Sequence, residues 1–419
     1  MNDFKYIDQE LWCEQIPVRD IAEKVGTPFY LYSHQTLKNH FHVFDQAFDG
    51  IPHIICFAAK SNSNVAILRI FVAAGGGVDI VSGGELYRAL QAGVNPRKVV
   101  YSGVGKRIDE IEYALNAGIL MFNVESFQEL AEINSCAKRL RKRAGIALRV
   151  NPDVDPQTHP YISTGLKENK FGVNIKKSIE AYREARKMQW LDIKGVSCHI
   201  GSQVTKISPF VDALDRLKKL VRLLRKEGID IRYLDLGGGL GITYREEEPP
   251  HPVEYAKAVI GAAKGMDCTL ILEPGRVIVG NAGILVTKVL YTKTNEGKNF
   301  VIVDAGMNDL IRPSLYNSYH QIQPVTKKKG KTQQADIVGP ICESGDYLAK
   351  ERQLPEFERG ELVAVMSAGA YGFTMSSNYN SRPRVAEVLV RGRRSYVIRR
   401  REIYSDIVKG ERIPNFLKA

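Results

Sequence analysis

The chain's 419 residues, 44% of them hydrophobic, are enough for two domains with a core each. Nothing approaches the ~20 consecutive apolar residues of a membrane helix, and the opening MNDFKYIDQELWCEQ lacks a signal peptide's basic and apolar regions, so the expectation is a cytoplasmic protein with no membrane partner. A net charge of +12 admits a nucleic-acid-binding protein as a remote alternative, but the excess sits in KRLRKR (138–143), RLKKLVRLLRK (216–226), KKKGK (327–331) and RGRRSYVIRRRE (391–402), read as solvated faces without a nucleic-acid motif.

In chain order, an apolar, strand-like run at 54–59 opens a series that continues at 78–81, 98–102, 119–124, 146–150, 195–200, 233–236 and 269–272, with helical stretches between. Strand and helix units alternating eight times in about 250 residues predict a parallel (β/α)8 TIM barrel, placed at 29–280. Past residue 280 the pattern turns to β-branched segments at 284–294, 299–305, 361–366 and 385–390, which predict a mainly β domain, a β-barrel or sandwich, over 281–419. Six cysteines, Cys13, Cys56, Cys136, Cys198, Cys268 and Cys342, are widely separated with no CxxC pair, which points to free thiols and to no metal site.

A barrel carries its reactive groups where strands end and the following loops converge. Lys60 follows the first run and Asp79 lies in the second. Arg149 is near the end of the fifth run, His199 near the end of the sixth, Gly237 after the seventh and Glu273 after the eighth. Singly, each has a plainer reading: a solvated strand cap, a helix cap, a surface pair, a core histidine, a loop glycine, a charge opening a helix. Together, at so many strand ends, they point to a site. The triglycine Gly237, Gly238 and Gly239 lets backbone N–H groups approach an anion. A dinucleotide fingerprint would belong on the first strand–helix turn, whereas this loop follows the seventh run, where barrels bind phosphate jointly with the next loop, here Pro274, Gly275 and Arg276.

The motifs CFAAKSNSN (56–64), GVDIVSGGELYRALQAG (77–93), CHIGSQ (198–203), LDLGGGLGI (234–242), LEPGR (272–276), DAGMNDLIRPSLY (304–316), CESGD (342–346) and GAYGFTMSSNYNSRP (369–383), in this order, closely resemble the diaminopimelate decarboxylase family of pyridoxal phosphate enzymes over nearly the whole chain. The resemblance implies pyridoxal 5'-phosphate as cofactor, bound covalently by Lys60, with Glu273 at the ring nitrogen, His199 stacked on the ring and Ser202 helping to bind phosphate. Asp79 and Arg149 would orient the lysine and the ring substituents. Tyr371 would reach phosphate and substrate, and Cys342, otherwise readable as an inert thiol, would return a proton after carbon dioxide leaves. The substrate would be meso-diaminopimelate, its distal carboxylate met by Arg276, Arg312 and Tyr316 and its distal ammonium by Glu343, to give L-lysine. The resemblance further implies that residues 1–28 pack on the β domain, and that a homodimer shares its active sites. A decarboxylase of ornithine, arginine or lysine is the alternative, disfavoured because such substrates have no distal carboxylate for Arg312 and such enzymes typically carry aspartate where Glu343 stands.

Overall fold

The computed structural model describes residues 2–155 and 170–418; residues 1, 156–169 and 419, which fall inside the ranges expected for the two domains, lie outside the described residues. The chain separates into two compact units, residues 37–280 and residues 1–36 with 281–419.

Residues 37–280 form a closed parallel barrel. Its strands are His53–Ala58, Gly77–Ile80, Val99–Tyr101, Met121–Val124, Ala144–Asn151, Leu191–Ser197, Tyr233–Asp235 and Thr269–Leu272, and the eighth pairs back onto the first, Ile271 opposite Ile54. A short strand, Val173–Asn174, lies parallel against the end of the fifth. Each expected run is a strand, with shifts at its ends. The fourth begins at Met121, because Gly118 takes the left-handed conformation that terminates the preceding helix (φ 74°), which leaves Ile119 in the turn. The sixth begins at Leu191, four residues before its apolar run, since Asp192 and Lys194 are only half-buried and form an ion pair with each other. It ends at Ser197, so His199 stands past the strand, in the loop.

The interior of the barrel is filled by inward residues such as Cys56, Val100, Met121, Ala147 and Ile271. The helices outside are started by capping side chains: Ser82 Oγ accepts from Glu85 N–H (3.2 Å) and Ser126 Oγ from Glu129 N–H (3.1 Å). The longest helix, Ser208–Lys226, buries Leu214, Leu217, Val221 and Leu224 at helical spacing and carries one of the basic runs on its other face.

The second unit is mainly β. One sheet runs in the order Tyr347–Pro355, Thr332–Val338, Lys298–Val303, Gly283–Asn295, Phe29–Ser33, Ala386–Arg391, Arg394–Arg399, with Leu362–Val365 also pairing Gly283–Asn295. Phe29–Ser33, placed with the barrel in the sequence, is a wholly buried strand of this sheet, between Gly283–Asn295 and Ala386–Arg391. A three-stranded meander over Phe4–Ile7, Glu10–Cys13 and Ile16–Pro17 adds Phe4, Leu11 and Cys13 to the core made by Phe29, Ile284, Val286, Ala364 and Val388. Among the described residues no helix is long and apolar enough to cross a membrane.

Candidate active site

At the C-terminal ends of the barrel strands, six of them deliver polar side chains to one cluster. Lys60 lies in a single 3-10 turn, Ala59–Ser61, directly after the first strand, and its Nζ donates to Asp79 Oδ2 at 2.6 Å. Asp79 is fully buried on the second strand, and its other oxygen meets no donor among the described residues. From the fourth strand, Asn123 Nδ2 reaches Ser102 Oγ (3.1 Å), Asp235 Oδ2 (2.8 Å) and Glu273 Oε1 (3.3 Å), so one amide ties together the ends of the third, fourth, seventh and eighth strands.

Asp235 and Glu273 are both buried against each other, and Lys60 and neutral donors offset their charge and that of Asp79. Burial and the neighbouring carboxylates push Glu273 well above the usual carboxyl range and Asp235 up to about 6. Two carboxyl groups so placed share a proton unless a further cation enters.

The loops around this cluster are built tightly. Asp235 Oδ1 accepts from Gly237 N–H (2.9 Å), and Glu273 N–H donates to Gly237 O (2.8 Å), stitching the loop after the seventh strand to the eighth. A Cβ on Gly238 would lie 2.2 Å from Glu273 O, and one on Gly239, whose φ is 116°, would lie 2.5 Å from Gly201 O, so only glycine fits at either place. His199 Nδ1 accepts from Gly238 N–H at 3.1 Å, which puts the ring proton on Nε2; burial and the charges of Arg149 and Lys60 hold its pKa well below the ordinary value. His199 is therefore a neutral ring at neutral pH. Arg276 donates to Ser202 Oγ (3.0 Å) and Tyr244 Oη (2.7 Å), which sets Ser202 beside Arg276.

Arg149 is buried on the fifth strand, donates to Glu125 Oε1 at 2.8 Å and lies over the Phe171 ring. Glu125 also accepts from Gly103 N–H (3.2 Å) and Gly172 N–H (2.7 Å), so it locks Arg149 to two loops. Removing one partner of a buried pair of this kind costs about 3–5 kcal/mol.

The remaining candidate residues belong to the β unit. Arg312 opens the short helix Arg312–Tyr316; its guanidinium is buried and donates to His320 Nε2 (2.8 Å) and Ser318 Oγ (3.4 Å). His320 Nδ1 in turn faces Met366 O (2.8 Å), which fixes that nitrogen as the protonated one and Nε2 as the acceptor. Tyr316 closes the same helix. Cys342 and Glu343 are exposed at the tip of a loop whose base is held by buried Asp346, accepting from Ile341 N–H (2.6 Å) and Met307 N–H (2.6 Å). Tyr371 has φ 56°, a conformation uncommon outside glycine, which concentrates at functional positions.

The barrel therefore gathers Lys60, Asp79, Arg149, His199, Ser202, the triglycine, Glu273 and Arg276 at its C-terminal end, while Arg312, Tyr316, Cys342, Glu343 and Tyr371 lie in the other unit. The sequence reading missed Ser102, Asn123, Glu125, Asp235, Tyr244 and Asp346. Asp235 had a signal, an acid inside an apolar run two residues before the triglycine. Asn123 and Glu125 flank Val124 at the end of the fourth run, where a polar residue in a buried strand also asks for an explanation.

The family model described as "Pyridoxal-dependent decarboxylase, pyridoxal binding domain" matches residues 34–280. A diaminopimelate decarboxylase of Vibrio cholerae is 53% identical over 409 residues, covering 97% of this chain and 98% of the relative. One of Aquifex aeolicus is 50% identical over 406 residues, covering 97% and 96%. Among solved structures, the diaminopimelate decarboxylase of Helicobacter pylori complexed with L-lysine superposes with a TM-score of 0.91 at 45% identity, covering 94% of this chain and 98% of that one. That of M. jannaschii superposes with a TM-score of 0.95 at 39% identity, covering 99% of both. With a barrel whose strand ends carry Lys60, His199 and Glu273, and with identity near one half along almost its entire length, the chain belongs to the diaminopimelate decarboxylase family of pyridoxal-dependent decarboxylases.

Proposed function

We propose that this chain decarboxylates meso-2,6-diaminopimelate to L-lysine and carbon dioxide, the last step of lysine synthesis, on pyridoxal 5'-phosphate held by the barrel. The observation that carries the reading is the pairing of Lys60 with Asp79 beside a buried Glu273 that has two further carboxylates, Asp79 and Asp235, for neighbours. The barrel residues fit the cofactor. A protonated ring nitrogen at Glu273 would supply the positive charge the carboxylate cluster is short of, and a triglycine loop that admits no Cβ at Gly238 and Gly239 lets the main chain come close to a phosphate. When bound, the cofactor supplies an electron sink for the bond to the departing carboxylate.

The chain's own groups do the rest. Lys60 holds the cofactor covalently, and Asp79 keeps the Lys60 amine in place. Glu273 holds a proton at the ring nitrogen, and Asn123 and Asp235 orient Glu273. His199, neutral, offers a flat ring to stack without adding charge. Ser202, the triglycine, Pro274, Gly275, Arg276 and Tyr371 bind phosphate, and Arg149 orients the ring substituents. Cys342 returns a proton to the substrate carbon.

Arg276, Arg312 and Tyr316 bind the distal carboxylate and Glu343 the distal ammonium, since a carboxylate next to an ammonium is best met by guanidinium and carboxylate side by side. Replacing Arg312 with alanine should lower kcat/KM for meso-diaminopimelate by ~10²-fold or more, the cost of an unpaired polar group in a site built for it, while slow turnover of lysine or ornithine changes far less. Competition assays on purified variants measure this. Equal losses on every substrate would make Arg312 a structural residue.

We also assign a two-fold homodimer in which Cys342 and Glu343 of one subunit complete the site on the other's barrel, and place it in the cytoplasm, in keeping with six cysteines that form no disulfide. Mixing the severely impaired Lys60→Ala and Cys342→Ala proteins under conditions of subunit exchange should recover roughly a quarter of wild-type activity, because a mixed dimer holds one intact site. Exchange without recovery would show that both residues act within one chain.

A further inference from the structure

Two adjacent residues that the reading above leaves without a role touch two adjacent residues to which it gives one. Asn380 Oδ1 accepts from Cys342 N–H at 2.8 Å, and Tyr379 Oη donates to Glu343 Oε2 at 3.3 Å. The phenol of Tyr379 is correspondingly pushed up by the Glu343 charge.

The segment that makes these contacts is itself fixed. Ser377 N–H donates to Asn308 O (2.8 Å), Asn378 Nδ2 donates to Arg382 O (3.0 Å) and Glu402 Oε2 (2.7 Å), and Arg382 N–H donates to Tyr379 O (3.3 Å). Asn380 and Ser381 both have φ of 54°, two consecutive left-handed residues without a glycine, the first of them of a type that tolerates this conformation. That turn aims the Asn380 amide oxygen at the Cys342 main chain. The loop that bears Cys342 and Glu343 is held at its base by Asp346, and at its exposed tip by Tyr379 and Asn380.

We propose that Tyr379 and Asn380 are positioning residues of the decarboxylation site: Tyr379 orients the Glu343 carboxylate toward the distal ammonium of the substrate, and Asn380 fixes the main chain from which the Cys342 thiol delivers its proton. The inference rests on the roles given above to Glu343 and Cys342. An exposed phenol and an exposed amide that merely covered the loop would affect both steps alike or neither; acting through different neighbours, they divide. Tyr379 governs substrate binding and Asn380 governs the chemical step.

The test is kcat and KM for meso-diaminopimelate, measured on cofactor-saturated, full-length protein carrying Tyr379→Phe, Asn380→Ala or Asn380→Asp, alone and combined with Glu343→Ala or Cys342→Ala. Tyr379→Phe should raise KM roughly fivefold or more, the worth of one ordinary hydrogen bond at an exposed position, with kcat within about twofold. Asn380→Ala should lower kcat about tenfold with little change in KM, and Asn380→Asp, which keeps an acceptor oxygen and tolerates the left-handed turn, should restore most of it. In the Glu343→Ala background Tyr379→Phe should have no further effect on KM, and in the Cys342→Ala background Asn380→Ala should have none on residual kcat. Single variants without these effects, or effects that persist undiminished in the paired backgrounds, overturn the inference. Should Glu343→Ala leave KM unchanged, the assignment of Glu343 to the distal ammonium falls and this proposal with it; should Glu343→Ala raise KM while Tyr379→Phe does not, this proposal alone falls.

Discussion

Lys60→Ala is expected to abolish turnover and to leave the purified protein without covalently held pyridoxal phosphate, the largest effect of any single substitution in the chain. Lys60 is the lysine of the turn after the first strand, and its 2.6 Å contact with buried Asp79 keeps its amine at the strand ends. Alanine there also strips Asp79 of its cation, adding a third unbalanced acid to the pair formed by Asp235 and Glu273. Cofactor affinity should therefore fall along with chemistry. The measurement is absorbance of the cofactor after borohydride fixation and gel filtration, alongside carbon dioxide release. A variant that still traps cofactor at another lysine and turns over normally would take Lys60 out of its role.

Glu273→Gln should cut kcat by about 10²-fold or more while cofactor is retained, in the range seen when one electrostatic stabiliser of a developing charge is removed. The physical reason lies in the network around it. Asn123 Nδ2 and Ser102 Oγ donate to Glu273 Oε1, and Asp235 sits against it, so the carboxyl group is rigid before any ligand arrives. Burial and like charge raise its pKa in the free barrel, and a cation facing it reverses that balance and leaves the carboxylate ionised. Glutamine keeps the shape and one acceptor oxygen and loses the charge, so the variant separates charge from packing. Titration of bound cofactor gives its affinity and single-turnover rates give the chemical step; an unaltered rate with weaker cofactor binding would make Glu273 a binding group only.

The barrel was legible because parallel strands buried on both faces read as unbroken apolar runs, each followed by a helix. Strands of the β unit were harder. Thr332–Val338 and Tyr347–Pro355 pair with each other, yet they carry Gln334, Lys350 and Glu351 on exposed positions and offer no apolar run. Phe29–Ser33 is uniformly buried, but five residues between two helices do not say which sheet they join; the partner Gly283–Asn295 lies about 250 residues away, a long-range pairing that local pattern does not encode.

Within the candidate site, the lysine, histidine, glycines and glutamate were found because each sits in a motif. Asn123 and Asp235 were not, because what gives them meaning is a meeting of strand ends 112 residues apart in sequence. Glu125 is similar: its partners Gly103, Arg149 and Gly172 come from three separate segments. Asp346 stood in a motif already noted, CESGD, but its function as the staple of the loop depends on Met307 N–H, which only the fold brings near.

The central claim, that this chain is a decarboxylase committed to a substrate with a distal amino acid centre, is tested most directly by carbon dioxide release. Purified, cofactor-saturated protein is offered meso-diaminopimelate, ornithine, lysine and arginine side by side, with the product identified. The account predicts turnover of meso-diaminopimelate to L-lysine, with kcat/KM for the other three lower by ~10²-fold or more, the margin expected when a buried polar site goes unfilled. Comparable rates on ornithine, lysine or arginine, or no release from meso-diaminopimelate by protein that carries its cofactor, would contradict it.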